Sequence, residues 1–204
     1  MSAKMLDRFY LIVDSADWLV RLLPCGVKLV QLRVKDKDDA TLRAEIARAR
    51  DLCRAHGAQL VVNDYWRLAI DLGCDYVHLG QEDMDTADFP AIRKANMKLG
   101  LSTHDEGELD RALSFRPDYV ALGPVYPTIL KKMRFGPQGL ERVTQWKKLV
   151  GPTPLVAIGG ITVERAPGIF AAGADSVSVV TDVSLNKDPE ARAREWVRVT
   201  RLPG

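Results

Sequence analysis

Leu155-Val156-Ala157-Ile158-Gly159-Gly160 is apolar at four consecutive positions and then turns on paired glycines. A strand with one wet face alternates apolar and polar residues, whereas one that is apolar at both parities is buried on both faces, as a parallel sheet covered by helices requires. Val61-Val62, within Gln59 to Asn63, has the same character. Outward from these segments, short apolar runs recur at Phe9 to Val13, Val27 to Val34, Tyr76 to Gly80, Lys98 to Thr103, Tyr119 to Gly123, Leu155 to Gly159 and Ser176 to Thr181. Between them lie stretches with helical spacing, clearest in Leu42, Ile46, Ala49, Leu52 and Cys53 and again in Leu109, Ala112 and Leu113. Gly26, Gly57, Gly73, Gly151 and Gly173 stand where such a stretch ends and a left-handed cap is needed. Eight strand-helix units in 204 residues, about 25 per unit, predict a compact α/β fold, a (β/α)8 TIM barrel made as a single domain by residues 1–204. The alternative, an open doubly wound sheet, seldom needs so many units.

The composition is that of a soluble globular chain: 47% apolar, 27% charged, with 29 basic against 27 acidic residues and a net charge of +2. Disordered, collagenous and fibrous classes are excluded. No basic tract follows a nucleic-acid backbone, since Lys35 to Lys37 and Lys131-Lys132 are short, so nucleic acid is not expected as a partner. The apolar run Phe9 to Val13 is too brief for a signal-peptide core or a membrane span, and no membrane partner is expected. Three cysteines, Cys25, Cys53 and Cys74, share no CxxC spacing and read as small buried thiols of a reducing, cytoplasmic protein. The oligomeric state stays open, a homo-oligomer included.

In such a barrel the active site lies at the carboxyl ends of the strands, so polar residues there carry the most weight. Gln31, Arg33 and Lys35 share one side-chain parity and are expected to point inward, two cations and an amide lining the mouth. Buried cations call for anions, which phosphate groups would supply; a structural salt-bridge layer is the plainer reading. Asp64, after Asn63, and Asp83, in Gly80-Gln81-Glu82-Asp83, come from adjacent strand ends and can share Mg2+, although singly each is more often a cap or turn residue. His78, inside a strand, reads as a hydrogen-bonded core residue. Ser102 and His104 share a face, without a third orienting carboxylate at matching spacing, and read as ligand hydrogen-bonders rather than a nucleophilic pair. The segment Gly123 to Gly139 is long for a βα connection and suits a clamp or lid, one of Lys131 and Lys132 reaching an anion. Gly159-Gly160 and the end of the eighth strand, Val180-Thr181, occupy the positions where barrels commonly hold a phosphate by main-chain N–H groups.

Taken in order, Gln31-Leu32-Arg33-Val34-Lys35, Asn63-Asp64-Tyr65-Trp66-Arg67-Leu68-Ala69, His78-Leu79-Gly80-Gln81-Glu82-Asp83, Ser102-Thr103-His104, Pro127-Thr128 with Lys131, and Ala157-Ile158-Gly159-Gly160-Ile161 strongly resemble the thiamine phosphate synthase family. The resemblance implies a Mg2+-dependent transferase that joins hydroxymethylpyrimidine diphosphate to hydroxyethylthiazole phosphate and releases pyrophosphate. It implies that Gln31, Arg33, Lys35, Asn63, Ser102 and Lys131 hold the pyrimidine diphosphate, with Arg33, Lys35, Ser102 and Lys131 the catalytic set. Asp64 and Asp83 would hold the metal, and Thr128, Gly159, Gly160, Val180 and Thr181 the thiazole phosphate. Two positions depart from the family pattern: Leu130 replaces a hydroxyl residue, and Thr181 stands for serine. The related thiazole tautomerase, which uses a histidine in the Ser-x-His segment, and a silent sensor of the phosphorylated ligands are the alternatives. Asp64 and Asp83 argue for the synthase, since neither alternative needs an acidic pair.

Overall fold

A computed structural model describes residues 6–128 and 136–201, in which eight parallel strands hydrogen-bond in chain order and close on themselves. They are β1 (Phe9–Val13), β2 (Leu29–Leu32), β3 (Gln59–Asn63), β4 (Tyr76–Leu79), β5 (Lys98–Thr103), β6 (Tyr119–Leu122), β7 (Leu155–Ile158) and β8 (Ser176–Val179). The closing ladder pairs Phe9 with Val177 and Leu11 with Val179, which excludes the open sheet. The helices are α1 (Ala16–Leu22), α2 (Asp39–Ala55), α3 (Trp66–Asp71), α4 (Phe89–Lys94), α5 (Glu106–Ser114), α6 (Gly139–Val150), α7 (Ala166–Ala171), α8 (Thr181–Ser184) and α9 (Pro189–Arg201).

Three of the strands have the bounds read from the sequence; the others are shorter. Val27 and Val34 flank the β2 ladder and are buried without belonging to it, because the helix layer covers them. Gly80, Gly123 and Gly159 leave their ladders to begin the loops of the mouth.

Strand alternation sorts the apolar residues into two cores. The outward side chains, among them Phe9, Leu11, Val30, Val62, Leu101 and Val177, pack under the helices. The inward ones, Tyr10, Leu29, Val61, Tyr76, Tyr119, Ala121 and Val156, fill the barrel. On α2 the helical stripe Leu42, Ile46, Ala49 and Cys53 is the buried face, as its spacing predicts. The ring of Trp196 on α9 stacks on Phe9 with centroids 5.3 Å apart, tying the last helix to the first strand. Cys25, Cys53 and Cys74 are free and buried, and burial pushes the Cys53 thiol up to about 12 and the Cys74 thiol up to about 11. Among the described residues no helix is long and apolar enough to cross a membrane.

Candidate active site

The ends of β2, β3 and β4 converge on one side of the mouth. Gln31 is buried in the barrel, but Arg33 and Lys35 are exposed, which corrects the expectation of inward, buried cations. The chain leaves the ladder after Leu32, so the inward parity of the strand does not carry over to them. Of a salt-bridge layer with neighbouring strands one bridge is present, Lys35 with Asp64, while the Arg33 guanidinium has no ion-pair partner among the described residues.

Asp64 begins the loop after β3 with φ +65°, in the left-handed region that an aspartate tolerates better than most side chains. Its N–H donates to the His78 carbonyl at 2.9 Å, holding it beside β4. Asp83 opens a 3₁₀ turn, Asp83–Asp85, and its Oδ2 accepts the Gly80 N–H at 3.0 Å. Burial and then the negative charge of Asp64 hold the Asp83 carboxyl above its usual range. Two carboxylates facing each other beside one lysine form a site that a divalent cation relieves. No group of three His, Cys, Asp or Glu capable of holding a metal occurs among the described residues. A two-carboxylate set suits Mg2+, which keeps several positions for water and phosphate oxygens. A cleft of about 420 Å³ opens beside the pair, lined also by Lys37, Tyr65, Arg67 and Thr86.

Below the rim, a polar chain runs through the barrel. Gln31 Nε2 donates to the Tyr10 hydroxyl at 2.9 Å, Tyr10 and Tyr119 share a hydrogen bond of 2.9 Å, Tyr119 meets His78 Nδ1 at 2.7 Å, and His78 Nε2 meets Ser102 Oγ at 2.8 Å. Tyr119 can cross the barrel because residue 100 is glycine: a Cβ there would lie 2.1 Å from its ring. Burial lowers the His78 pKa to about 4, so its imidazole is neutral, and burial raises both phenols, so both keep their protons. His78 is thus the hydrogen-bonded core residue that its strand position suggested. Asn63 is buried at the end of β3, and Gln81 Nε2 holds the Ser102 carbonyl at 2.7 Å. The Nδ1 and the backbone N–H of His104 both meet Glu108 Oε2, at 2.7 and 2.8 Å. Reading the strand ends missed Tyr10 and Tyr119, which lie within their strands; a tyrosine at inward parity and Gly100 in mid-strand were the available signals.

On the other side, the loops after β6 and β7 continue as a zipped pair. The Val125 N–H donates to the Ile158 carbonyl at 2.9 Å and the Tyr126 N–H to the Gly159 carbonyl at 3.0 Å. Gly159 and Gly160 have φ +101° and +61°, and a Cβ on Gly160 would fall 2.3 Å from the Pro127 carbonyl oxygen. The paired glycines are therefore needed for loop contact whether or not they hold an anion. Arg165 fastens this contact, hydrogen-bonding the Gly160 carbonyl while its guanidinium lies 4.4 Å from the centre of the Tyr126 ring. The β7–β8 ladder, which pairs Ile158 with Ser178, carries Val180 and Thr181 to the neighbouring strand end. Behind Thr181, Asp182 accepts from Arg192 at 2.9 Å and from Trp196 Nε1 at 2.7 Å. Thr128 lies at the edge of the described segment; Leu130, Lys131 and Lys132 fall outside the described residues.

The closed barrel, with its polar side chains gathered at the carboxyl ends of the strands, defines a TIM-barrel enzyme. The chain belongs to the thiamine monophosphate synthase family, whose model matches residues 9–183. It is 64% identical over 195 residues to the thiamine-phosphate synthase of Rhizobium etli, covering 96% of each chain. It is 50% identical over 179 residues to that of Cronobacter sakazakii, covering 88% of this chain and 85% of the relative. A solved thiamine phosphate pyrophosphorylase from Pyrococcus furiosus superposes with a TM-score of 0.84 at 24% identity over 95% of both chains. A 3-hexulose-6-phosphate synthase has the same barrel at a TM-score of 0.67 and 16% identity, covering 94% of this chain and 99% of its own, so the fold alone does not choose the chemistry. The sequence relationship does: the protein is a transferase of thiamine biosynthesis.

Proposed function

We propose that the protein joins hydroxymethylpyrimidine diphosphate to hydroxyethylthiazole phosphate, with Mg2+ held by Asp64 and Asp83. The observation that carries this reading is the meeting of the Asp64–Asp83 pair with Lys35 at one rim of the mouth, directly beside a strand end bearing Gln31 and Arg33. In the proposed reaction the pyrimidine CH2–O bond breaks with its electron pair leaving on pyrophosphate, and the thiazole nitrogen forms the new C–N bond. Mg2+, when bound, supplies positive charge to the departing pyrophosphate. Arg33 and Lys35 hold the same anion from the rim, and Ser102 donates a hydrogen bond to it; the family resemblance assigns Lys131 the same role. Asn63 and Gln31 orient the pyrimidine. Thr128, Gly159, Gly160, Val180 and Thr181 hold the thiazole phosphate across the mouth, placing the nitrogen for attack.

No proton moves in the bond exchange, so no general base is needed. A neutral, buried His78 suits that requirement. The buried free thiols favour a cytoplasmic setting.

Incubation with both substrates and Mg2+ should give thiamine phosphate and pyrophosphate in equal amounts, and nothing with either substrate alone. Interconversion of thiazole phosphate tautomers without thiamine phosphate would replace this reading with the tautomerase, and tight binding without turnover would replace it with the sensor.

A further inference from the structure

The polar chain inside the barrel has a direction. Gln31 Nε2 is a donor, so the Tyr10 oxygen accepts from it. A phenol carries one proton, and the other partner of Tyr10 is the Tyr119 oxygen, so Tyr10 donates to Tyr119. The single proton of Tyr119 is then directed to His78 Nδ1, which must be bare. A neutral imidazole with a bare Nδ1 carries its proton on Nε2, and that proton goes to Ser102 Oγ. The Ser102 hydroxyl is thereby left to donate outward. At the other end, the Gln31 carbonyl oxygen has no partner among the described residues and is left to accept.

We propose that Tyr10, Tyr119 and His78 are positioning residues that set Ser102 as a donor and Gln31 as an acceptor, the polarity that fits an aminopyrimidine diphosphate. The inference rests on the function proposed above and deepens it. A diphosphate has only acceptors and needs the Ser102 proton; the exocyclic amine of an aminopyrimidine has donors and needs the Gln31 oxygen. Reversing the chain would turn the Gln31 amide, move the His78 proton to Nδ1 and consume the Ser102 proton on Nε2. Both ends would then be mismatched together. One chain of hydrogen bonds therefore reads two features of one substrate, although its inner members touch neither.

The test compares hydroxymethylpyrimidine diphosphate with an analogue in which hydrogen replaces the exocyclic amine, in the wild type and in Tyr119→Phe. Phenylalanine keeps the ring over Gly100 and removes only the hydroxyl that joins the two halves of the chain. The wild type should prefer the amino substrate in kcat/KM. Tyr119→Phe should lower kcat/KM for the amino substrate by about tenfold to a hundredfold, the range of one or two buried hydrogen bonds. Its preference over the analogue should shrink to the part that the amine gives electronically to the breaking CH2–O bond, with the KM for thiazole phosphate unchanged. A role in packing alone would lower both pyrimidines equally; a preserved preference overturns the inference. Tyr10→Phe is the second variant, with the same expected loss of preference. Independently of any variant, the ring nitrogen shifts of His78 in the wild type, read with Mg2+ and inorganic pyrophosphate present, should report Nε2–H with Nδ1 bare. The opposite tautomer overturns the inference. A wild type that forms no thiamine phosphate sinks the proposed function itself, whereas an active one whose preference survives Tyr119→Phe sinks only the polarity.

Discussion

His78 has both ring nitrogens engaged by hydroxyls and no carboxylate bonded to its ring, so a second proton would be buried without compensation. Its folded pKa, lowered to about 4 from 6.5, has a defined consequence for stability. A depressed pKa means that the unfolded chain binds the proton more readily. The stabilisation is present above pH 6.5 and is lost as pH falls towards 4, by up to roughly 3 kcal/mol at about 1.4 kcal/mol per pH unit. Thermal melts between these limits should show this acid loss in the wild type and lack that component in His78→Gln. At the rim, Asp64→Ala and Asp83→Ala should each lower turnover by about a hundredfold or more, since a metal supplies several kcal/mol of charge stabilisation. Circular dichroism should stay native in both. The rise in melting temperature that Mg2+ with pyrophosphate gives the wild type should disappear. Wild-type turnover at limiting Mg2+ in either variant would refute the metal assignment.

At the scale of elements, the β6 and β7 loops act as one unit because their backbones touch. Gly160→Ala places a methyl group against the Pro127 carbonyl at a left-handed φ of +61°. Backbone strain of this kind costs on the order of 1–3 kcal/mol. The variant should lose that much in urea unfolding and show a raised KM for thiazole phosphate, with the KM for the pyrimidine diphosphate unaffected. Loss of both affinities together would mean that the two halves of the mouth are not separate. The glycine pair was legible in the sequence as a phosphate signal. Its contact with Pro124 and Pro127 was not, because those residues lie more than thirty positions earlier and meet it only through the β6–β7 ladder.

For the whole molecule, the barrel is closed twice, once by the β1–β8 ladder and once by α9. Trp196 is stacked on Phe9 and donates to Asp182, the residue after Thr181, so the last helix braces the strand-eight end of the mouth. Trp196→Ala should cost roughly 3–5 kcal/mol in urea unfolding, the usual range for an aromatic removed from a core. Trp196→Phe keeps the stack and loses one hydrogen bond to a carboxylate, which should cost about 1.5–3 kcal/mol. Equal losses in the two variants would show that stacking contributes little.

The sequence by itself determined the eight strands, their order of use and their burial on both faces, because side-chain parity and helical spacing are local properties. It also determined that Asp64 and Asp83 stand at successive strand ends, because strand order in a barrel follows chain order. Only the tertiary structure decided that Arg33 and Lys35 ride the rim, since the register at which β2 leaves the sheet depends on its neighbours. It alone joined Gln31 to Ser102 through Tyr10, Tyr119 and His78. Those five residues come from five strands, and a hydrogen bond across a closed barrel is set by its diameter and by the space at Gly100, neither of which any local pattern records.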